Sequence, residues 1–424
     1  MKTDVVIVGS GVSGLYCALK LPKDKKITIL TKDAADMSDS FLAQGGICVL
    51  KDESDYDAYF EDTMRAGHYE NNKRSVEIMI RSSPSVIADL VELGVEFEKE
   101  NGEFAYTKEG AHSQPRILFH EDETGKEITS HLLAKVKTLP NVTIMEYYTM
   151  VDIISDKEQC LGVICHDKDG NYSAIQADYT VLATGGIGGL YSHSTNYSHL
   201  TGDALAIAIK HGVKLKNIDY IQIHPTTLYS EKKGREFLIS ESVRGEGAIL
   251  LNSKGERFVN ELLPRDVVAN AIYAEMKKEN TKHVWLSMAP IAEEEIKTHF
   301  PNIYNHCLTE GYDVTKESIP VVPSQHYFMG GIDVDEHSKT SMDRLYAVGE
   351  TACNGVHGRN RLASNSLLES LVFAERAANQ MTETYSDIPN DAEITVSGAD
   401  YENYKEKYKE IVLEAIEKER NSHE

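Results

Sequence analysis

Apolar residues along the chain follow two different periods. Val5-Val6-Ile7-Val8 is an unbroken β-branched run that predicts a buried strand. It opens into Gly9-Ser10-Gly11-Val12-Ser13-Gly14, and Leu15-Tyr16-Cys17-Ala18-Leu19 follows at helical spacing. Ile27-Thr28-Ile29-Leu30 reads as a second parallel strand. Residues 54–67 are acidic and helical. Residues 72–93 place Val76, Met79, Ile80, Ile87, Leu90 and Val91 on one side of a helix that ends at Gly94, with Pro84 kinking or restarting it. A helix over 126–138 leads to the strand Val142-Thr143-Ile144-Met145. Residues 146–179 alternate as short strands with turns at Ser155-Asp156-Lys157 and Asp167-Lys168-Asp169-Gly170. This predicts an antiparallel meander inserted before the next core strand, Tyr179-Thr180-Val181-Leu182, which ends on Gly185-Gly186.

Thr201-Gly202-Asp203 starts a helix that runs through residue 210, with Asp203 as a simple N-cap. From about 221 the period changes, and a mixed region up to about 329 reads as a second domain inserted into the first. Arg344-Leu345-Tyr346-Ala347-Val348 returns to the core and ends on Gly349-Glu350, with a helix over 362–381 behind it. From 399, Tyr401, Tyr404, Tyr408, Ile411, Val412 and Ala415 fall at helical spacing, which predicts one amphipathic helix docked on the body.

The strand–turn–helix around Gly9, Gly11 and Gly14 has the spacing of a dinucleotide site. The first glycine allows the turn, the second admits a pyrophosphate, and the third lets helix and strand pack closely. Lys32 stands near the end of the second strand, where an acid often meets a ribose; a cofactor contact and an exposed loop lysine both fit the spacing. The small, polar run 38–47, ending on Gly45-Gly46-Ile47, can wrap a flat ring system. Glu109, His112 and Arg116 share a polar loop, for which plain surface chemistry is the commoner explanation. The second domain gathers His224, Ser240, Glu241, Arg244, Arg257, Arg265 and His326.

The formal net charge of −23 over 424 residues argues against nucleic acid or an anionic membrane as partner. An anionic substrate would need a local cluster of arginines. No apolar run reaches membrane length. The chain enters its first strand by Asp4, leaving no room for a signal peptide, so a cytoplasmic location is expected. Cys17, Cys48, Cys160, Cys165, Cys307 and Cys353 form no CxxC, which predicts scattered buried thiols and no metal site.

Taken together, GSGVSG, AQGGI, TKEGAHS, ATGG, HPT, SVRGEGA, LLPRDVVA and NRLASNSLLES resemble the succinate dehydrogenase/fumarate reductase flavoprotein family, from residue 4 to about 382. The resemblance implies an α/β fold: a Rossmann-like FAD-binding domain (1–220 and 330–395), an inserted α+β capping domain (221–329) and a short C-terminal helical tail (396–424). It implies FAD held by Ser10, Gly11, Val12, Ser13 and Lys32 at the ADP end. The remainder of the cofactor falls to Asp39, Ser40, Phe41, Leu42, Ala43, Gln44, Gly45, Gly46, Asp203, Glu350, Ser366 and Leu367. Respiratory relatives link the flavin to a histidine; Asp39 stands at that position, so a non-covalent flavin is expected.

The same resemblance puts the moving proton on Arg265, with Asp266 or Glu241 as relay candidates. His224, His326 and Arg361 would grip substrate carboxylates, beside Ser240 where relatives usually have threonine. Glu109 would pair with the α-ammonium of L-aspartate. The implied reaction is oxidation of L-aspartate to iminoaspartate, the first step of NAD biosynthesis through quinolinate. Electrons would pass to O2 or fumarate, and quinolinate synthase would receive the unstable product. A soluble fumarate reductase or succinate oxidase, and a flavin-binding protein without turnover, stay open as alternatives. Relatives often continue into a helical bundle, whereas about one helix remains here after residue 398.

Overall fold

The computed structural model describes residues 1–156, 158–232, 234–388 and 394–422. Its centre is a seven-stranded sheet. The order is Val142–Glu146, Ile27–Thr31, Lys2–Val8, Tyr172–Leu182, Cys160–His166 and Thr149–Ser155, with Leu345–Ala347 also paired to Tyr172–Leu182. The first strand runs parallel to both neighbours, in the registers Val5↔Ile27 and Val5↔Tyr179. Both of its faces are covered. Val5 and Ile7 enter one core with the helices Val12–Lys20, Lys73–Glu92, Thr124–Val136 and Ser366–Glu383. Val6 and Val8 enter a second core with the meander and the helix Asp203–Lys210. A strand buried on both faces needs an unbroken apolar run, and that is why Val5–Val8 does not alternate.

Two glycines fix the first turn. Gly9 has φ +117°, and a Cβ there would lie 1.9 Å from the Ala183 carbonyl oxygen. At Gly14 a Cβ would lie 2.1 Å from the Gly9 carbonyl oxygen, so any side chain would push the helix off the strand.

Residues 221–328 build a separate antiparallel sheet: Phe237–Leu238, Ile221–Leu228, Ile319–Phe328, Val284–Ser287 and Ile249–Leu251. The helix Arg265–Glu279 packs on it through Val268 and Ile272, in a third core of its own.

Several local expectations need correction. Pro84 does not restart its helix, which is continuous over Lys73–Glu92. The carbonyl of Ile80, which the proline leaves without an N–H, takes the Ser83 hydroxyl at 2.6 Å. Val91 faces outward, 42% exposed. The meander and the next core strand are not separate: Tyr172–Leu182 pairs antiparallel with Cys160–His166 through residues 172–176, then parallel with the first strand. Lys157, assigned to a turn, lies outside the described residues. The helix expected from 362 begins at Ser366, because Ser364 adopts φ +62°. Gly202, in the left-handed region, caps the next helix in place of Asp203. The tail is a short turn, Gly398–Tyr401, followed by the helix Tyr404–Ser422; Tyr404, Tyr408, Val412 and Ile416 bury themselves in the second core. All six cysteines are buried thiols.

Candidate active site

A single cleft runs from the glycine turn of the first strand to the inner face of the second sheet, enclosing about 1660 Å³ with its open mouth. Its reach, from the glycine turn to the second sheet, suits a long cofactor with a substrate at its end. Ser10, Gly11, Val12, Ser13, Lys32, Asp203, Glu350, Ser366 and Leu367 line it, as do Asp39, Ser40 and residues 42–46. Phe41 does not, since its ring packs into the first core beside the loop.

The cofactor end is a polar cradle at a helix start. Val12 N–H donates to the Ser40 hydroxyl at 3.0 Å, and Lys32 Nζ donates to Asp203 at 2.6 Å and to the His199 carbonyl at 2.8 Å. Asp203 is therefore a partner of Lys32 across the cleft, not a helix cap. Asp39 accepts from Asn196 Nδ2 and from Tyr197 N–H. Burial pushes its carboxyl up to about 7, while Glu350 is pushed up to about 8 by burial and by the nearby Asp39. Ser38 Oγ and Gln44 Oε1 are buried without a partner. A Cβ on Gly186 would lie 2.3 Å from Glu350 Oε1. These orphaned groups and a helix N-terminus beside a cation fit a flavin dinucleotide.

At the far end two strands and three helix starts converge. His224 and His326 stand on adjacent antiparallel strands with ring centroids 5.1 Å apart. Ser240 caps a short helix, Glu241–Gly245, and Arg265 opens the helix behind Pro264. Arg361 lies just before the helix that starts at Ser366, and its Nη1 donates to the Ser366 hydroxyl at 3.2 Å. His224 Nδ1 lies 3.1 Å from both the N–H and the carbonyl oxygen of Thr226, and its Nε2 is buried without a partner. Burial and the Arg265 charge hold both histidines well below their usual range, so each is neutral. Arg361 Nε is likewise unpartnered, and burial followed by Arg265 lowers this guanidinium to about 10.

Arg265 donates from Nε to Glu241 at 2.5 Å and from Nη1 to Gln222 at 2.9 Å. Gln222 in turn donates to the Arg361 carbonyl at 2.9 Å, so one side chain spaces the two arginines. Arg244 Nη2 lies 3.6 Å from the same Glu241 carboxylate. Burial pushes Glu241 up, but the two guanidiniums outweigh it and hold it below the usual carboxylate range. Asp266, the other relay candidate, faces away and pairs with His68 at 3.0 Å.

The Glu109 loop is not surface. Arg116 is fully buried, held by Asp55 at 2.9 Å, by Asp62 at 2.8 Å and by His112 Nδ1 at 3.1 Å, a clamp that fixes the loop. Glu109 itself is buried and accepts from Ser364 at 2.6 Å and Ser242 at 2.8 Å. Gly45 makes room for it, since a Cβ there would lie 2.8 Å from Glu109 Oε1. Gln222, Thr195 (bonded to His326 at 2.7 Å), Asn196 and Tyr327 (its ring 4.5 Å from the Arg361 guanidinium) were not singled out from the sequence; each reads there as an ordinary strand or loop residue.

The model of the FAD-binding domain family matches residues 4–367. The chain belongs to this FAD-binding family. The flavoprotein is 52% identical over 376 residues to the L-aspartate oxidase of Clostridium perfringens, covering 88% of this chain and 85% of that protein. It is 49% identical over 388 residues to the L-aspartate oxidase of Clostridium acetobutylicum, covering 91% and 89%. Among solved structures, E. coli quinol fumarate reductase superposes with a TM-score of 0.86 at 29% identity, over 97% of this chain and 74% of that one. The cofactor is FAD, and the protein is an FAD-dependent oxidoreductase. Among the described residues no helix is long and apolar enough to cross a membrane.

Proposed function

We propose that this flavoprotein oxidises L-aspartate to iminoaspartate, the reaction that opens NAD biosynthesis through quinolinate. The supporting observation is a buried carboxylate, Glu109, that forms no ion pair among the described residues, in a cleft end whose other carboxylate, Glu241, is paired with Arg265, beside Arg361 and two neutral histidines. Cationic and N–H donors match the two carboxylates of a C4 acid. A carboxylate among them matches an α-ammonium group, which succinate lacks. The sequence identity to named L-aspartate oxidases supports the same reading.

Bound FAD supplies the two-electron acceptor. Arg361 and His224 grip one end of the substrate, and His326 and the Ser240 hydroxyl steady the other. Glu109 sets the amino group, so that the single hydrogen on Cα faces the cofactor. Positioning of this kind is worth roughly 7–11 kcal/mol of barrier. Arg265 completes the clamp and heads a line of alternating charge, Arg265–Glu241–Arg244, along which a proton can move without being trapped on a guanidinium. Residues 221–329 act as the capping domain that closes water out. The FAD is held non-covalently, with Asp39 engaged by Asn196 and Tyr197. O2 or fumarate takes the electrons, the cytoplasm is the site of action, and quinolinate synthase receives the product.

Anaerobic addition of L-aspartate, D-aspartate or succinate, followed by flavin absorbance, tests this. Bleaching by L-aspartate alone is expected, with colour restored by O2 or fumarate. Bleaching by succinate instead would make the protein a succinate oxidase or fumarate reductase, a reading that the fold shared with quinol fumarate reductase keeps in view. No bleaching by any of the three would leave a flavin-binding protein without this chemistry.

A further inference from the structure

A second, smaller cavity of about 450 Å³ opens beside the first, lined by Arg65, Lys108, Glu109, His112, Gly245 and Leu262 among others. Glu109 is the one described residue common to both linings. It forms the partition between the cleft end and this cavity. The outer rim is wet: Lys108 and Leu262 are exposed, and the Arg65 side chain is half exposed. The inner wall is buried and holds two titratable groups, Glu109 and His112. His112 is spoken for, with Nε2 on the Ala363 carbonyl at 3.1 Å and Nδ1 against Arg116, and burial with that cation lowers it to about 4. Glu109 receives only two serine hydroxyls and forms no ion pair among the described residues, so each oxygen keeps a free lone pair. The Arg265–Glu241–Arg244 line, by contrast, ends on a fully buried guanidinium bonded to the Glu261 carbonyl at 2.6 Å.

On the L-aspartate reading, we propose that Glu109 takes a proton from the substrate's α-ammonium group and that the second cavity is its outlet to solvent. The balance is as follows. The Cα–H bond breaks, and the hydrogen leaves with its electron pair to the FAD oxidant. One N–H bond breaks, its proton going to a Glu109 oxygen and its electron pair becoming the C=N π bond. The product is the protonated imine, and Glu109 returns to the carboxylate by passing its proton to water in the second cavity. Burial and the neighbouring Glu241 charge raise the Glu109 carboxyl above its ordinary range, which suits a group that must hold a proton briefly. The Arg265 line then serves protons on the carbon skeleton, as when fumarate takes the electrons.

The FAD-loaded protein tests this by anaerobic stopped flow, with flavin bleaching and a pH-indicator dye read together. Glu109→Ala slows bleaching by about 10²–10⁴-fold, and sodium formate, small enough for the second cavity, restores at least a tenth of the loss. Leu262→Trp plugs the mouth from one side and Lys108→Trp from the other. Each single variant keeps its FAD content and KM but releases the proton at least about tenfold more slowly, and each, combined with Glu109→Ala, blocks the formate rescue. Proton release at the unaltered rate in both plugged proteins, rescue that survives both plugs, or no rescue at all would overturn the outlet while leaving the substrate reading intact. Failure of L-aspartate to bleach the unaltered protein would overturn both.

Discussion

Arg265 and Glu241 are buried together, and a buried pair broken on one side costs about 3–5 kcal/mol because the survivor is left uncompensated. Arg265→Leu therefore leaves FAD in place at the far end of the cleft. It lowers stability by that amount in denaturant titrations and cuts turnover by at least about 10²-fold. FAD retained with turnover near that of the unaltered protein would remove Arg265 from the reaction. Glu369 gives a second test, of stability alone. Burial pushes its carboxyl up to about 7, against partial relief from Asn354 and Ser370. The folded protein thus binds this proton more tightly than the unfolded chain. The stability it contributes is complete below about pH 4.5 and lost as pH rises through 7. Glu369→Gln removes that loss and raises the unfolding free energy at pH 8 by up to about 3 kcal/mol, with little change at pH 4.5. Equal effects at both pH values would refute the assignment. Much of the site is legible in residue types at motif spacing, because a dicarboxylate needs arginine and an amino group needs an acid. Direction is not. Phe41 and Asp266 sit in the right motifs and turn the wrong way, since the facing depends on one turn of backbone that neither residue determines. Gln222 and Thr195 carry no signal, because a polar residue on a strand looks the same whether it meets water or an arginine.

Ser83 shows how an element survives a residue that should break it. Its hydroxyl donates to the Ile80 carbonyl freed by Pro84 and accepts from Leu50 N–H at 2.8 Å, so one oxygen satisfies two buried backbone groups. Ser83→Ala strands both, at about 1–3 kcal/mol each. Adding Pro84→Ala gives Ile80 its N–H partner back. The double variant is thus expected to be more stable than Ser83→Ala in urea titrations, and no recovery would show that the hydroxyl does not replace the missing bond. Local pattern predicts a break at Pro84 because it sees the missing N–H and not the serine that replaces it. The same blindness splits Tyr172–Leu182 in two. Its first half alternates between buried and partly exposed positions, and its second half is buried throughout because both faces are covered. The two halves carry the burial patterns of two strands although the backbone is one. The long, strongly patterned elements were readable; the helix start at Ser366 was not, because it is set by the left-handed φ of Ser364, whose hydroxyl is engaged by Glu109.

At the scale of the whole molecule two fields oppose each other. The chain carries a formal charge of −23, mostly on exposed side chains, yet the cleft end presents Arg265 and Arg361 from buried positions. Exposed charge is screened by salt and buried charge much less. The Debye length shrinks from about 30 Å at 0.01 M ionic strength to about 8 Å at 0.15 M. Raising salt over that range therefore weakens the repulsion felt by an arriving anion and leaves its clamp nearly intact. Dicarboxylate binding should tighten with salt, the reverse of an enzyme that steers its substrate by surface charge. The charge of the ligand sets the slope. Succinate arrives with two negative charges and L-aspartate with a net one, so the logarithm of the succinate Kd should fall about twice as steeply as that of the L-aspartate KM. Both are measurable on one preparation, succinate as a competitive inhibitor of L-aspartate oxidation. Affinities that weaken with salt would mean that the cationic cluster projects its field beyond the cleft, and that the burial of its arginines does not isolate it.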